Sequence, residues 1–311
     1  MPCRSTLCFA LLVAAPASAQ FVTGVTRPFF PGSPDDNTVD AFLVDNATGQ
    51  STFLFNPDTL PSTAPGFTGL AANDPAGLIY GSTRNGPDDD LYVFDYATFT
   101  PTLIGEVFIN DAGTINSISL SGLAYDSTRD VLYGVRSLGG STGPEGLYSI
   151  DTTTAEAKLV LELDDGTFDF QVDGIDYDPV TDLLYVADDD TSGPGGSGIF
   201  SFDPANPGAG LTFVTSYESP INDVDGLGAG DGKLFLLSDS PEGNGGNHYV
   251  YDIATDTFDI LAPTPYDPRD ISNIGPLNPS GAGAFAPGLI PEPTTATLLA
   301  LGSLALLRRR H

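Results

Sequence analysis

The sequence has no tryptophan, a single methionine and only two cysteines among its 311 residues. Both cysteines, Cys3 and Cys8, lie at the N-terminus, in a segment that we expect to be removed on export. The mature chain would then contain no thiol, which excludes disulfide bonds and cysteine nucleophiles. With 41% hydrophobic residues, the chain is long enough to be stabilised by burial of a large core instead.

Basic residues are also scarce, with 11 Lys+Arg against 41 Asp+Glu and a formal net charge of -30. Between the two ends of the chain they are Arg27, Arg84, Arg129, Arg136, Lys158, Lys233 and Arg269. This charge repels nucleic acid phosphates, so we exclude nucleic acid as a partner. The acidic excess fits a solubilising surface with Asp favoured in turns, and it also suits salty surroundings or divalent cations.

Histidine is nearly absent from the body of the chain, since His311 is the last residue and His248 is the other one. We expect His248, which follows a Gly-rich stretch at the start of a strand, to be a surface loop residue. The sequence also lacks G-x-S-x-G, H-E-x-x-H and a Gly-rich loop followed by Lys and Ser/Thr. Nothing therefore supports the enzyme classes that depend on these motifs.

The N-terminal segment has the order of a secretory signal peptide. Arg4 forms a short basic region, residues 7–15 are apolar, and Ala17-Ser18-Ala19 is a small-residue cleavage site. The alternative is a membrane anchor, but the apolar run is much shorter than the roughly 20 residues that span a bilayer. We predict a signal helix over residues 1–19 that is cleaved after Ala19.

The C-terminal segment combines a short apolar run, residues 296–307, with Arg308, Arg309 and Arg310. As a helix, the run would be ~18 Å long, against a hydrocarbon core of ~30 Å. It is a marginal membrane helix, and its arginines should stay cytoplasmic, which places the body of the chain outside the inner membrane.

Pro291-Glu292-Pro293, then the apolar run, then Arg308 to Arg310 at the chain end resembles the PEP-CTERM sorting signal of exported proteins. That family occurs in Gram-negative bacteria that make exopolysaccharide, and the resemblance covers residues 291–311 alone. It implies a partner, an exosortase-type membrane transpeptidase, and transient anchoring in the inner membrane. It also implies processing near Pro-Glu-Pro and delivery to the cell surface or extracellular matrix. A plain C-terminal anchor is the alternative.

The body of the chain, residues 20–290, is an internal repeat. Segments such as "GLAYDSTRDVLYGVRS" begin at Gly69, Gly122, Gly174 and Gly226. Each reads as strand, turn and strand, and each is followed by a second segment of the same kind, such as "LYSIDTTTAEAKLV". Four strands in about 50 residues are typical of one propeller blade. The repeat thus resembles those of β-propeller proteins in general, a fold that does not specify function.

The two ends of the repeat complement each other. An unpaired second-half segment, residues 41–56, precedes Gly69, and residues 275–288 align weakly with the first half of a repeat. We therefore predict an all-β propeller of about five four-stranded blades, the last closed by strands from both termini. Residues 20–40 are a candidate for a further strand, and a sixth, degenerate blade is the alternative.

Recurrent aspartates are first explained by structure. One set ends a strand and precedes a turn in each repeat: Asp45, Asp95, Asp151, Asp203 and Asp252. A second set lies in the first hairpin turn: Asp126, Asp178 and Asp231. In both sets we expect the side chain to accept backbone N–H bonds in an Asx-turn. The acidic runs 88–90 and 188–190 are predicted to be loops with solvated charge, with surface calcium binding as the alternative.

Two aspartates directly precede a repeat glycine, Asp173 and Asp225, where other repeats have Thr68 and Ser121. If this strand is innermost, these side chains ring the channel mouth. With Asp169, Asn222 and Asp223 nearby in the sequence, the carboxylates could hold Ca²⁺. The alternative is hydrogen bonding at the start of the strand.

Two functions follow from these patterns. The first is a non-enzymatic surface or matrix protein that binds polysaccharide, protein or cation through its inter-blade loops. The second is a calcium-dependent hydrolase, lactonase- or phytase-like, with Asp173 and Asp225 as metal ligands and water as nucleophile. A phosphate-handling site would also need converging basic residues, and the few in the body are spread along the chain.

Overall fold

The structure is a computed structural model that describes residues 20–26, 39–45, 51–55, 67–85, 88–136, 143–163, 170–190, 195–221, 224–238, 247–263 and 278–286. Only the backbone is described for the first three ranges. The predicted signal helix, the apolar tail and residues Pro291 to Pro293 lie outside these ranges. Within them, no helix has the length and apolar character needed to cross a membrane.

The described chain consists almost entirely of β-strands. The first nine are β1 (Gln20–Thr26), β2 (Val39–Asp45), β3 (Ser51–Phe55), β4 (Phe67–Asn73), β5 (Leu78–Asn85), β6 (Asp88–Asp95), β7 (Pro101–Glu106), β8 (Phe108–Asp111) and β9 (Thr114–Ser117). The next eight are β10 (Gly122–Asp126), β11 (Val131–Arg136), β12 (Gly146–Ile150), β13 (Glu156–Glu162), β14 (Val172–Asp178), β15 (Leu183–Asp188), β16 (Gly198–Phe202) and β17 (Leu211–Ser216). The last five are β18 (Val224–Gly230), β19 (Lys233–Ser238), β20 (Asn247–Asp252), β21 (Thr257–Pro263) and β22 (Asn278–Phe285). Two short 3₁₀ turns, Asp74–Ala76 and Pro207–Ala209, connect strands.

The strands form five sheets whose four blade strands pair antiparallel, which confirms the predicted propeller of five blades. Blade 1 is β4-β5-β6-β7, blade 3 is β14-β15-β16-β17 and blade 4 is β18-β19-β20-β21. Blade 2 is β10-β11-β12-β13, and the closing blade is β22-β1-β2-β3. Blade 2 has an addition that the repeat pattern did not predict, because β8 pairs in parallel with β13 and β9 pairs with β8.

The innermost strands β4, β10, β14, β18 and β22 lie side by side in a closed ring around the axis. The repeat glycines are found where two of these strands approach most closely. A Cβ atom on Gly69 would lie 2.6 Å from the backbone nitrogen of Leu123, and one on Gly174 would lie 3.0 Å from that of Leu227. At Gly69 and Gly174, contact between neighbouring blades therefore requires the glycine that begins the repeat.

Strands from both ends of the chain close the ring, as predicted. β22 is the innermost strand of the closing blade and pairs antiparallel with β1. The aligned half-repeat near the C-terminus suggested that two strands of this blade come from that end. The described residues there supply β22 alone, and β1 provides the second strand by pairing with both β22 and β2. The candidate strand in residues 20–40 is therefore part of the closure.

The hydrophobic core lies between blades rather than at the axis. Tyr148 of blade 2 packs with Tyr80 and Leu91 of blade 1, and Phe200 of blade 3 packs with Leu147 of blade 2. In blades 1 to 4 the inner strands are covered on both faces, so strands such as β10 are buried at every residue, whereas the outermost strand β7 is partly exposed. This explains why the strand sequences read as continuous apolar runs without alternation.

Candidate functional site: the channel and its two mouths

The residues that precede the repeat glycines lie at the start of the innermost strands, at one end of the channel that these strands surround. In β4, β14 and β18 the strand register shifts at this point, so Thr68, Asp173 and Asp225 are extra residues in a β-bulge. A bulge leaves the extra residue out of the ladder and redirects its side chain. All three residues are half-buried.

Thr68 and Ser121 are the two residues with hydroxyl side chains that precede a repeat glycine, and both form hydrogen bonds within the protein. Thr68 Oγ1 donates to Asp89 Oδ2 at 2.8 Å, and Ser121 Oγ donates to the Val172 carbonyl of the next inner strand at 2.5 Å. At these two positions the side chain therefore forms a hydrogen bond at the start of the strand.

Asp173 and Asp225 occupy equivalent positions on the adjacent strands β14 and β18. Their neighbours Gly174 and Gly226 are in close contact, since a Cβ on Gly174 would lie 3.2 Å from the carbonyl carbon of Gly226. Within the described residues, no group of three or more His, Cys, Asp or Glu side chains is placed to hold a metal ion. Asp169, Asn222 and Asp223 lie outside the described residues, so the calcium site at Asp173 and Asp225 stays a prediction.

The acidic runs are not the solvated loops that we predicted. Asp88 begins β6, and the fully buried Asp89 accepts a hydrogen bond from the Leu120 backbone N–H, 2.9 Å away, in the segment that enters blade 2. In blade 3, Asp188 ends β15, is also fully buried and accepts from the Gln171 N–H at 2.9 Å. Asp189 accepts from the Val224 N–H at 3.1 Å. Asp89 therefore joins blade 1 to blade 2 and Asp189 joins blade 3 to blade 4, whereas Asp188 holds the segment that enters its own blade, because the entering backbone needs acceptors.

Asp176 lies inside the channel, and sequence reasoning did not single it out. It is 4% exposed, and its carboxylate accepts backbone N–H bonds from three inner strands. Burial raises its pKa to about 8, although these bonds favour the ionised form. A signal was present in the sequence, since the third residue of "GIDYD" is Asp where the other repeats have Ala71, Ala124 and Gly228.

At the opposite mouth, the hairpin turns contain the predicted Asx-turns. Asp126 Oδ1 accepts the N–H groups of Thr128 and Arg129, each at 2.9 Å, and Asp178 accepts that of Val180 at 3.1 Å. The same bonds, to the N–H two residues on, are formed by Asp95, Asp151, Asp203 and Asp252. The side chain of Asp45 is outside the described part of the structure.

Asp231 differs from the other turn aspartates in its backbone conformation, which is left-handed. It has φ 55° and is followed by Gly232 at φ 72°, the backbone of a two-residue type I′ hairpin. Here Asp is favoured because it tolerates the left-handed conformation.

Arg129 connects the turns of blades 2 and 3 at this mouth. Its Nη1 lies 2.8 Å from Asp126 Oδ2, and its two terminal nitrogens lie 2.6 and 2.9 Å from the two oxygens of Asp182. Tyr177 also donates to Asp182 Oδ1 at 2.6 Å. The guanidinium and the Tyr177 hydroxyl lower the pKa of Asp182 to about 2. This basic residue therefore joins two blades.

His248 is buried, which corrects the prediction of a surface loop residue. It lies in β20, opposite Leu237 of β19, and is 2% exposed. Burial lowers its pKa to about 3, so the imidazole is neutral in the folded protein at neutral pH.

Comparison with solved structures finds the same fold in distant proteins. TolB from Acinetobacter baumannii matches with a TM-score of 0.50 and 19% identity over 81% of this chain and 55% of its own. A chain of a nidogen/laminin complex matches with a TM-score of 0.50 and 12% identity over 79% and 80%. This chain thus spans about half the length of TolB. No protein-family model matches the sequence, and no curated protein matches it. Identities this low support the propeller fold alone.

Proposed function

We propose that this protein is an exported cell-surface or extracellular-matrix protein of a Gram-negative bacterium, sorted by an exosortase-type transpeptidase. In this proposal, its propeller is a non-enzymatic module that binds polysaccharide or protein. The sorting proposal is supported by Pro291-Glu292-Pro293, the apolar run and the terminal arginines, together with the N-terminal signal sequence.

The binding role is supported by how the described polar side chains are used. Aspartates that recur in the repeats accept backbone N–H bonds in turns, and Asp89 and Asp189 hold the segments that enter the next blade. His248 is buried within blade 4. These aspartates thus stabilise the propeller itself. In this proposal a ligand is bound by the loops and by the half-buried residues at the channel mouth, Thr68, Asp173 and Asp225.

The closing strand also favours one mouth as the binding face. β22 ends at Phe285, beside Gly230, which is where β18 meets its hairpin turn. Pro291 follows shortly after in the sequence, so a protein attached near this point would be held from the mouth that carries the hairpin turns. The opposite mouth, with Asp173 and Asp225, would then face away from the attachment.

Intact mass spectrometry of the protein from its native host tests the sorting proposal. We expect a species that begins near Gln20 and ends close to Pro293. A mature species that retains Arg308 to Arg310 would contradict exosortase processing and favour a plain anchor.

For the binding role, a glycan array probed with the purified propeller, with and without calcium, should show saturable binding to a defined polysaccharide class. Turnover of lactone or phosphoester substrates without such binding would contradict it.

A further inference from the structure

Asp176 occupies a position that no other described inner strand uses in the same way. One oxygen of its carboxylate, Oδ2, accepts from the Ala229 N–H of β18 at 2.8 Å and from the Phe285 N–H of β22 at 2.9 Å. The other oxygen accepts from the Tyr177 N–H of its own strand at 2.9 Å. A single side chain therefore connects three of the five innermost strands.

Of the strands that Asp176 bonds to, β22 is the furthest from β14, and it is also the strand that closes the ring. β14 and β22 are separated in the ring by β18, so the carboxylate spans the space beside the axis. In blades 1, 2 and 4 the equivalent residues are Ala71, Ala124 and Gly228, which have no side-chain acceptor. The carboxyl group at this position is therefore not part of the repeat, and one of its hydrogen bonds is to β22.

Phe285, which donates one of these N–H groups, is also fixed by its ring. The ring stacks on Phe235 of β19 at a centroid distance of 5.7 Å and an interplanar angle of 4°. It covers Gly230, where a Cβ atom would lie 2.0 Å from the ring. The backbone N–H of this last residue of β22 is therefore bonded to blade 3, and its ring packs on blade 4.

We propose that Asp176 is a clasp that holds the C-terminal strand β22 in the propeller, so that its removal opens the ring at β22 before any other blade. β22 is joined to β1 by hydrogen bonds but is at the far end of the chain from it, so closure depends on non-covalent contacts. A buried carboxyl group that accepts the Phe285 N–H supplies a contact specific to this strand.

The position of the clasp gives it a consequence for attachment, and this step rests on the proposed function. β22 is the last described strand before the predicted sorting signal, which begins at Pro291, so a force on an attached tail would act on β22 first. The clasp would then keep the propeller closed while it is tethered. The test below does not involve sorting, so its failure would leave the proposed function untouched.

The absence of other cysteines from the body of the chain allows a clean probe. With Cys3 and Cys8 replaced by Ser, a thiol is introduced by Ala284→Cys in β22 or, as the reference, by Ala124→Cys in β10, both fully buried positions. Labelling by a thiol reagent then reports opening of each strand. In an Asp176→Ala background, we expect labelling at position 284 to accelerate about tenfold or more, with little change at position 124.

Two further variants make this outcome specific. Asp176→Asn retains one oxygen that can accept both inter-strand N–H bonds, so labelling at position 284 should stay within a few-fold of the parent. Asp89→Ala removes another buried carboxylate, one that holds the entry to blade 2, and should not accelerate position 284 beyond position 124. Equal acceleration at both probes in Asp176→Ala, or the same selective opening in Asp89→Ala, would overturn the proposal.

If Asp176→Ala does not fold, amide exchange in the parent protein still decides the matter. The Phe285 and Ala229 N–H groups should exchange at least as slowly as amides of the interior strands β5 and β11, because both donate to the buried carboxylate. Exchange of the Phe285 N–H at the rate of exposed turns would overturn the proposal.

Discussion

Two buried ionisable side chains should make the stability of the propeller depend on pH in opposite senses. Burial raises the pKa of Asp176 from 3.8 to about 8 and lowers that of His248 from 6.5 to about 3. Between pH ~4 and ~8, folded Asp176 holds a proton that the unfolded chain has lost, so stability falls as pH rises. Between pH ~3 and ~6.5, unfolded His248 holds a proton that the folded protein lacks, so stability rises with pH.

The two effects oppose each other between pH ~4 and ~6.5, and the Asp176 effect remains alone from there to pH ~8. A difference of one bound proton changes the free energy of unfolding by about 1.4 kcal/mol per pH unit. The parent protein should therefore lose roughly 2 kcal/mol of stability between pH 6.5 and 8. Asp182, whose pKa is lowered to about 2, titrates far below this window.

Urea unfolding at several pH values between 6.5 and 8, at constant ionic strength, measures this slope. Asp176→Asn should abolish it, because the amide does not titrate, and should leave the inter-strand hydrogen bonds in place. His248→Gln should retain the slope above pH 6.5 and lose the rise below it. A parent protein whose stability is flat across this window would show that the three N–H donors outweigh burial and keep Asp176 ionised. A slope that survives in Asp176→Asn would refute the assignment to this residue.

The remaining predictions concern closure, blade contact and calcium. Deletion of residues 270–290 should abolish the cooperative unfolding transition by circular dichroism, since it removes β22; an unchanged melt would contradict the closure. Gly174→Ala should cost about 1–3 kcal/mol in urea unfolding, because its Cβ would lie 2.9 Å from Leu227 Cβ. Gly208→Ala, with open space around its Cβ, is the matched control. Micromolar calcium should raise the melting temperature saturably, and Asp173→Asn with Asp225→Asn should abolish that rise but not the response to high salt. A double mutant that responds like the parent would make both aspartates structural.

The repeat pattern predicted the fold because its signals are local. The turn aspartates and the paired apolar strands follow from backbone rules that act over a few residues, and the spacing of Gly69, Gly122 and Gly174 shows that the same local unit recurs. For the same reason the Asx-turns at Asp126 and Asp178 were correctly predicted. The bulges that set Asp173 and Asp225 apart were indicated only indirectly, by the repeat glycine that follows them.

What the sequence determined by itself was the blade, its turns and the number of blades, since these depend on residues close in the chain. Tertiary structure alone decided the roles of Asp89, Asp176 and His248, because each has its burial and its neighbours set by strands far away in sequence. Asp89 and its run look solvated in the sequence, yet its carboxylate is enclosed by the entry to the next blade. Asp176 gains its partners only when β22, from the far end of the chain, closes the ring beside it. Charge and hydropathy along the chain indicate local secondary structure and exposure, but they do not predict which distant backbone N–H groups will need an acceptor.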